Sequence, residues 1–125
     1  MTKEDYLRYI DHFNNKQYEK FAAYYAEDVE VNLSSLTLKG PKGIISFYTD
    51  FHTYVREFVD VKFLVADDAG VAAEMYTEFD CFRDYPNTAL PFKKGEVRRI
   101  LNFVHYDLAD GKFKHIRVAR YQQYV

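Results

Sequence analysis

The chain has 125 residues, and its 17 Lys plus Arg against 19 Asp plus Glu leave a net charge of -2. That balance argues against a general nucleic-acid binder held by phosphate contacts, and the length suffices for a core that buries about two-thirds of the unfolded surface without a disulfide or metal. With 12 Tyr, 11 Phe and no Trp, the composition implies many half-buried rings with a wet hydroxyl end, as in a lined pocket or a subunit interface. The lone Cys81 excludes an intramolecular disulfide and reads as a small core residue. The start Met1-Thr2-Lys3-Glu4 is polar, and no apolar run approaches the roughly 20 residues of a membrane span. The expected location is therefore cytoplasmic, with no membrane partner.

From Lys3 to Asn15, Tyr6, Leu7, Tyr9, Ile10 and Phe13 recur at three- and four-residue spacing behind Thr2 as N-cap, which predicts an amphipathic helix. Asn14-Asn15 interrupts it. A second short helix carries Tyr18, Phe21, Ala22, Tyr24 and Tyr25 and ends at Glu27-Asp28. Val29, Val31 and Leu33 then alternate with polar residues as a strand, and Leu36 to Lys39 extends it past a Ser34-Ser35 turn. Gly40-Pro41 starts a third helix to about Glu57, with Ile44, Ile45, Phe47, Tyr48, Phe51, Tyr54, Val55 and Phe58 as a broad apolar band.

The second half reads as strands. Val59, Val61, Phe63 and Val65 mark one side of the next strand, and Asp67-Asp68-Ala69-Gly70 turns into a run from Val71 to Phe82. After a polar excursion, Arg83 to Gly95, come Glu96 to Leu108, the tight turn Ala109-Asp110-Gly111 and a last strand from Lys112 to Tyr124. Three N-terminal helices must therefore cover one face of a curved, mixed, mostly antiparallel sheet, an α+β class of fold in a single domain over residues 1–125.

In this order the elements resemble the nuclear transport factor 2 superfamily, the cone shared by SnoaL-like polyketide cyclases, ketosteroid isomerases, scytalone dehydratases and limonene epoxide hydrolases. The residues that carry the likeness are Arg8-Tyr9-Ile10, Tyr25 to Val31, Lys39-Gly40-Pro41-Lys42-Gly43-Ile44 with Phe47-Tyr48, and Asp110-Gly111-Lys112. The resemblance implies a pocket at the open end of the cone, a hydrophobic small-molecule ligand, no cofactor, and commonly a homodimer through the sheet. Ketosteroid isomerase chemistry needs a helix tyrosine, an aspartate base and a protonated aspartic acid. Tyr9 matches the tyrosine, but Asn32-Leu33-Ser34 holds no carboxylate at the base position and Asn102 is the only polar residue between Ile100 and Val104. That particular chemistry is rejected.

The remaining candidates come from the residues themselves. The strand after Gly70 has two unlike faces, Ala73, Met75, Thr77, Phe79 and Cys81 against Glu74, Tyr76, Glu78, Asp80 and Phe82. Alignment with the superfamily turns the second face into the cone, whereas hydrophobicity turns the first. If inward, Glu78 is a carboxylate among rings, suited to acid or base work; if outward, it solvates a sheet. Residues 1–92 hold nine basic and sixteen acidic side chains, net -7, and residues 93–125 hold eight and three, net +5. These charges can form a cross-strand ion lattice, or they can place Arg120 or Arg98 in the pocket to hold an oxyanion. None of the four histidines stands at metal-ligand spacing, so no metal is expected, and His52 is the best neutral-pH acid or base. The candidate catalytic set is Tyr9, His52, Tyr76, Glu78 and Arg120, with Tyr24, Tyr48, Phe51, Asn102 and Tyr106 binding substrate. The expected activity is that of a cofactor-independent isomerase, cyclase or dehydratase, and the alternative is a non-catalytic ligand-binding or dimerisation module.

Overall fold

In the computed structural model, which describes residues 1–124, helix α1 (Lys3–Asn14) begins at a reciprocal cap. Asp5 N–H donates to the Thr2 hydroxyl at 3.1 Å and Thr2 N–H donates to the Asp5 carboxylate at 3.0 Å. The Thr2 amide lowers the Asp5 carboxyl below its ordinary value, with the Thr2 hydroxyl and Arg8 adding to the effect. Tyr6, Tyr9, Ile10 and Phe13 form the buried stripe of this helix. Next come α2 (Tyr18–Ala22), strands β1 (Tyr25–Asn32) and β2 (Thr37–Lys39), helix α3 (Gly40–Phe51), and strands β3 (Val55–Ala66), β4 (Gly70–Cys81), β5 (Val97–Ala109) and β6 (Lys112–Tyr124). Val125, the last residue of the expected domain, lies outside the described residues.

The strands form one six-stranded sheet in the order β2-β1-β6-β5-β4-β3, with β1 and β6 parallel and every other pair antiparallel. The helices pack on its concave side. Tyr6, Phe21 and Phe113 are fully buried in the main core, and Phe51, Val55 and Cys81 anchor a second cluster under the excursion between β4 and β5. Asp110 and Gly111 both have positive φ, 52° and 77°, which matches the two-residue turn that the twist of the β5–β6 hairpin favours. Among the described residues, no helix is long and apolar enough to cross a membrane.

Two helix boundaries and one strand alternation differ from the sequence reading. The second helix stops at Ala22 because Tyr25 instead opens β1, where it pairs with Phe113. The third helix stops at Phe51 rather than Glu57. Tyr54 N–H still closes a turn on Phe51 O, but Val55 lies opposite Cys81, so Val55, Glu57 and Val59 alternate along β3 as one strand face. The β3–β4 register shifts between Val61 and Phe63, so the alternation of Val59 and Val61 does not continue into Phe63 and Val65. Those two side chains are exposed on the outer face.

Candidate active site

Between α1, α3 and the concave sheet lies a cavity of about 160 Å³. Tyr9, Ile10 and Phe13 come from α1, and Ile44, Phe47, Tyr48 and Phe51 from α3. The cross-strand register arranges the sheet side in rows: Glu57, Phe79 and Arg98 in one, Val59, Thr77 and Ile100 in the next, then Met75, Asn102 and Arg120. The lining is mostly apolar, with a few convergent polar groups, the usual composition of a ligand site.

Glu57 is the carboxylate among them, with its side chain only 9% exposed. His52, just past the end of α3 and 3% exposed, brings Nε2 to 3.0 Å from Glu57 Oε1, while its Nδ1 lies 2.8 Å from the Tyr18 hydroxyl. When Nε2 carries the proton and donates it to Glu57, Nδ1 is left as an acceptor for the Tyr18 hydroxyl. Above this pair, burial raises the Tyr48 hydroxyl well above its ordinary pKa, and the charge of Glu57 adds to the shift. Tyr48 therefore stays protonated at any physiological pH and can only serve as a hydrogen-bonding hydroxyl.

The other tyrosines form two hydroxyl pairs, Tyr9 with Tyr25 and Tyr6 with Tyr106, each at 2.7 Å. Burial raises all four pKa values, most directly because the anion would lose its water. Each pair consumes one of its two protons, so Tyr9 and Tyr25 together keep one for a molecule in the cavity. Asn102 Oδ1 is closed to solvent and meets no donor among the described residues. At the rim Arg120 donates to Gln123 Oε1 at 3.0 Å and has no carboxylate partner among the described residues. Arg98 is already engaged by Glu96 at 2.6 Å and lies over the Phe92 ring.

Of the residues singled out from the sequence, Tyr9, Tyr48, Phe51, Asn102, Tyr106 and Arg120 line this cavity. Tyr76 and Glu78 do not. Along β4 the buried residues are Val71, Ala73, Met75, Thr77, Phe79 and Cys81, so Tyr76 and Glu78 stand on the outer face, where Glu78 meets Arg99 at 3.8 Å. Covering the apolar face of β4 with helices removes more hydrocarbon from water than the reverse would, which decides the orientation. Tyr24 packs beside Tyr9 and Phe113, away from the cavity, and Tyr25 takes the lining position. His52 sits behind the wall and reaches the cavity through Glu57. The sequence reading missed Glu57 because it was placed at a helix end; the strand alternation of Val55, Glu57 and Val59 was the available signal. Among the described residues, no group of three or more His, Cys, Asp or Glu side chains is arranged to hold a metal ion.

A family model described as a SnoaL-like domain matches residues 6–116. No curated protein sequence matches the chain. Among solved structures, a protein of Xanthomonas campestris pv. campestris provisionally named a polyketide cyclase is 23% identical, with a TM-score of 0.73 over 88% of this chain and 82% of that one. A second, likewise provisionally named, from a Silicibacter species is 19% identical with a TM-score of 0.78, covering 94% and 87%. An epoxide hydrolase of M. tuberculosis, described as LEH-like, is 13% identical with a TM-score of 0.71, covering 90% and 77%. At these identities the likeness is one of fold.

Proposed function

Starting from the fact that the chain belongs to the SnoaL-like domain family, we propose that its cavity is a small-molecule site in which Glu57 acts as general base. The protein is then a cofactor-independent isomerase, cyclase or dehydratase acting on a hydrophobic, oxygenated substrate. The observation that carries this reading is the Glu57 carboxylate in an apolar cavity, held by His52 at 3.0 Å. The names of the structural neighbours, polyketide cyclase and epoxide hydrolase, support an acid–base role for the same kind of cavity.

The step common to the three reaction types is proton transfer. Glu57 takes a proton from carbon next to a substrate carbonyl, and the electron pair of that C–H bond moves onto the carbonyl oxygen as an enolate. Hydroxyl donors from Tyr48 or the Tyr9–Tyr25 pair stabilise that oxygen. Returning the proton to a different carbon completes an isomerisation. Tyr9 and Arg120 keep their expected roles as oxyanion donor and electrostatic clamp, and His52 positions Glu57. Tyr76 and Glu78, on the outer face, take no part.

Cyclohexanone is a probe that fits the cavity, and its exchange of α-hydrogen for deuterium in D₂O is read by proton NMR. The protein should accelerate this exchange over buffer, and Glu57→Gln should lose about 100-fold or more of the acceleration. Equal rates for both proteins, with folding intact, would leave the cavity as a non-catalytic binding site.

The outer sheet face supports a homodimer as part of the same reading. Phe63, Phe103 and Tyr121 are 59%, 44% and 65% exposed there, interspersed with ion pairs of both signs such as Glu78–Arg99 and Asp107–Arg117. A face carrying both charges and exposed rings can complement a two-fold copy of itself.

A further inference from the structure

We propose that the cavity takes a single-ring carboxylic acid bearing a ring hydroxyl, with the carboxylate on Arg120 and the hydroxyl on Asn102. This rests on reading the cavity as a ligand site, and it names the ligand class.

Size sets the first limit. An apolar protein cavity of about 150 Å³ accepts benzene, so about 160 Å³ accommodates one six-membered ring among Phe79, Ile100 and Val104. A second, fused ring has to crowd this space or extend toward the open side. The second limit is charge. Arg120 lines the rim with no carboxylate partner among the described residues, whereas Arg98 is committed to Glu96. One free guanidinium matches one carboxylate, and its planar fork can grip both oxygens. Because Glu57 shares the cavity, a dianion such as a phosphate monoester would meet like charge in a poorly solvated space, which favours a monoanion.

The third observation is Asn102. Its Oδ1 is closed to solvent without a donor, and a buried acceptor left unpaired costs about 1–3 kcal/mol. Turning the amide toward the cavity that Asn102 lines lets a ligand hydroxyl donate to Oδ1, which removes that cost. Asn102 and Arg120 are cross-strand partners on the inner face, so one small molecule can reach both. The remaining ring edge then lies toward Thr77 and Glu57, one and two rows away.

Titration calorimetry of the intact protein with benzoate, the three hydroxybenzoates, phenol and 2-naphthoate tests this. The best hydroxybenzoate should bind most tightly, benzoate and phenol each more weakly by about ten-fold, the worth of one charge-assisted or buried hydrogen bond. The two-ring acid should bind more weakly than benzoate. Arg120→Gln should weaken the acids about ten-fold and leave phenol unchanged, and Asn102→Leu should erase the advantage of hydroxybenzoate over benzoate while leaving benzoate bound. Circular dichroism of both variants controls for folding. Acids binding no better than phenol, an Arg120 variant without effect, or naphthoate bound as well as benzoate would overturn the assignment. If none of the acids binds yet cyclohexanone exchange still depends on Glu57, the ligand class fails and the catalytic reading stands. If exchange fails while the acids bind as described, the reverse holds.

Discussion

His52 Nε2 and Glu57 Oε1 meet at 3.0 Å across the point where α3 ends and β3 begins. Both side chains are nearly closed to water, and the Tyr18 hydroxyl completes the chain of hydrogen bonds. Removing the donor would leave a buried carboxylate short of a partner, which costs more than the bond itself contributes. His52→Leu is expected to lower stability by about 1–3 kcal/mol and to slow cyclohexanone exchange. His52→Gln retains an amide donor and should recover part of both. Denaturant unfolding and exchange rates, measured on the same two variants, check this. A Gln variant as slow as the Leu variant would deny His52 its part in positioning Glu57.

Glu78→Gln and Tyr76→Phe are expected to leave exchange activity unchanged. Glu78 lies on the outer face, and its 3.8 Å contact with Arg99 is between half-exposed groups. Such a pair contributes about 0–1 kcal/mol, so the melting temperature should move by only a few degrees. A loss of activity in either variant, with folding intact, would put this face of β4 in the site.

Alkaline titration should be cooperative. Burial raises the pKa values of Tyr6, Tyr9, Tyr25, Tyr48 and Tyr106 in the folded chain. A raised folded value means that the stability these hydroxyls contribute is complete below the unfolded value of about 10 and is lost as the pH climbs above it toward the folded values. The tyrosinate absorbance of these five should therefore rise together with the loss of circular dichroism. A gradual rise with the fold intact would contradict their burial.

Asn14 ties the end of α1 to the sheet. Its amide donates to Val59 O at 2.8 Å and its carbonyl accepts from Val59 N–H at 2.9 Å, so a single side chain satisfies both backbone groups of a strand residue. Asn14→Ala is expected to cost about 1–3 kcal/mol, read from chemical denaturation. A change below that range would mean that water replaces the amide freely.

Self-association should depend on the outer face. Phe103 and Tyr121 lie against each other there, with ring centroids 4.9 Å apart. Sedimentation velocity should give a dimer for the native chain and a monomer for Phe103→Glu. A monomeric native chain at micromolar concentration, or a Glu variant that still dimerises, would remove the sheet as the interface.

Much of the architecture was legible from local chemistry. The Thr2 cap, the stripe of Tyr6, Tyr9, Ile10 and Phe13, and the Asp110-Gly111 turn are written in residues close together in the chain, and the structure places them as expected. Tyr9, Tyr48, Phe51, Asn102, Tyr106 and Arg120 were legible as residues of faces that converge, and all six line the cavity. The sequence by itself thus determined which segments are amphipathic and where hairpins turn, because those depend on neighbours within a few positions.

Tertiary structure decided the rest. Alternation along the strand after Gly70 shows two different faces, but a period of two is the same whichever face is covered, and only the helices packed on Met75, Thr77 and Phe79 turned Glu78 outward. Tyr54, Val55 and Phe58 fit a helix stripe as well as a strand, and pairing of Val55 with Cys81 settled the boundary. That boundary is what brings Glu57 onto the inner face and against His52. The two stand five positions apart in sequence, a spacing that neither helix nor strand periodicity marks, so their contact exists only because the chain changes from one to the other between them.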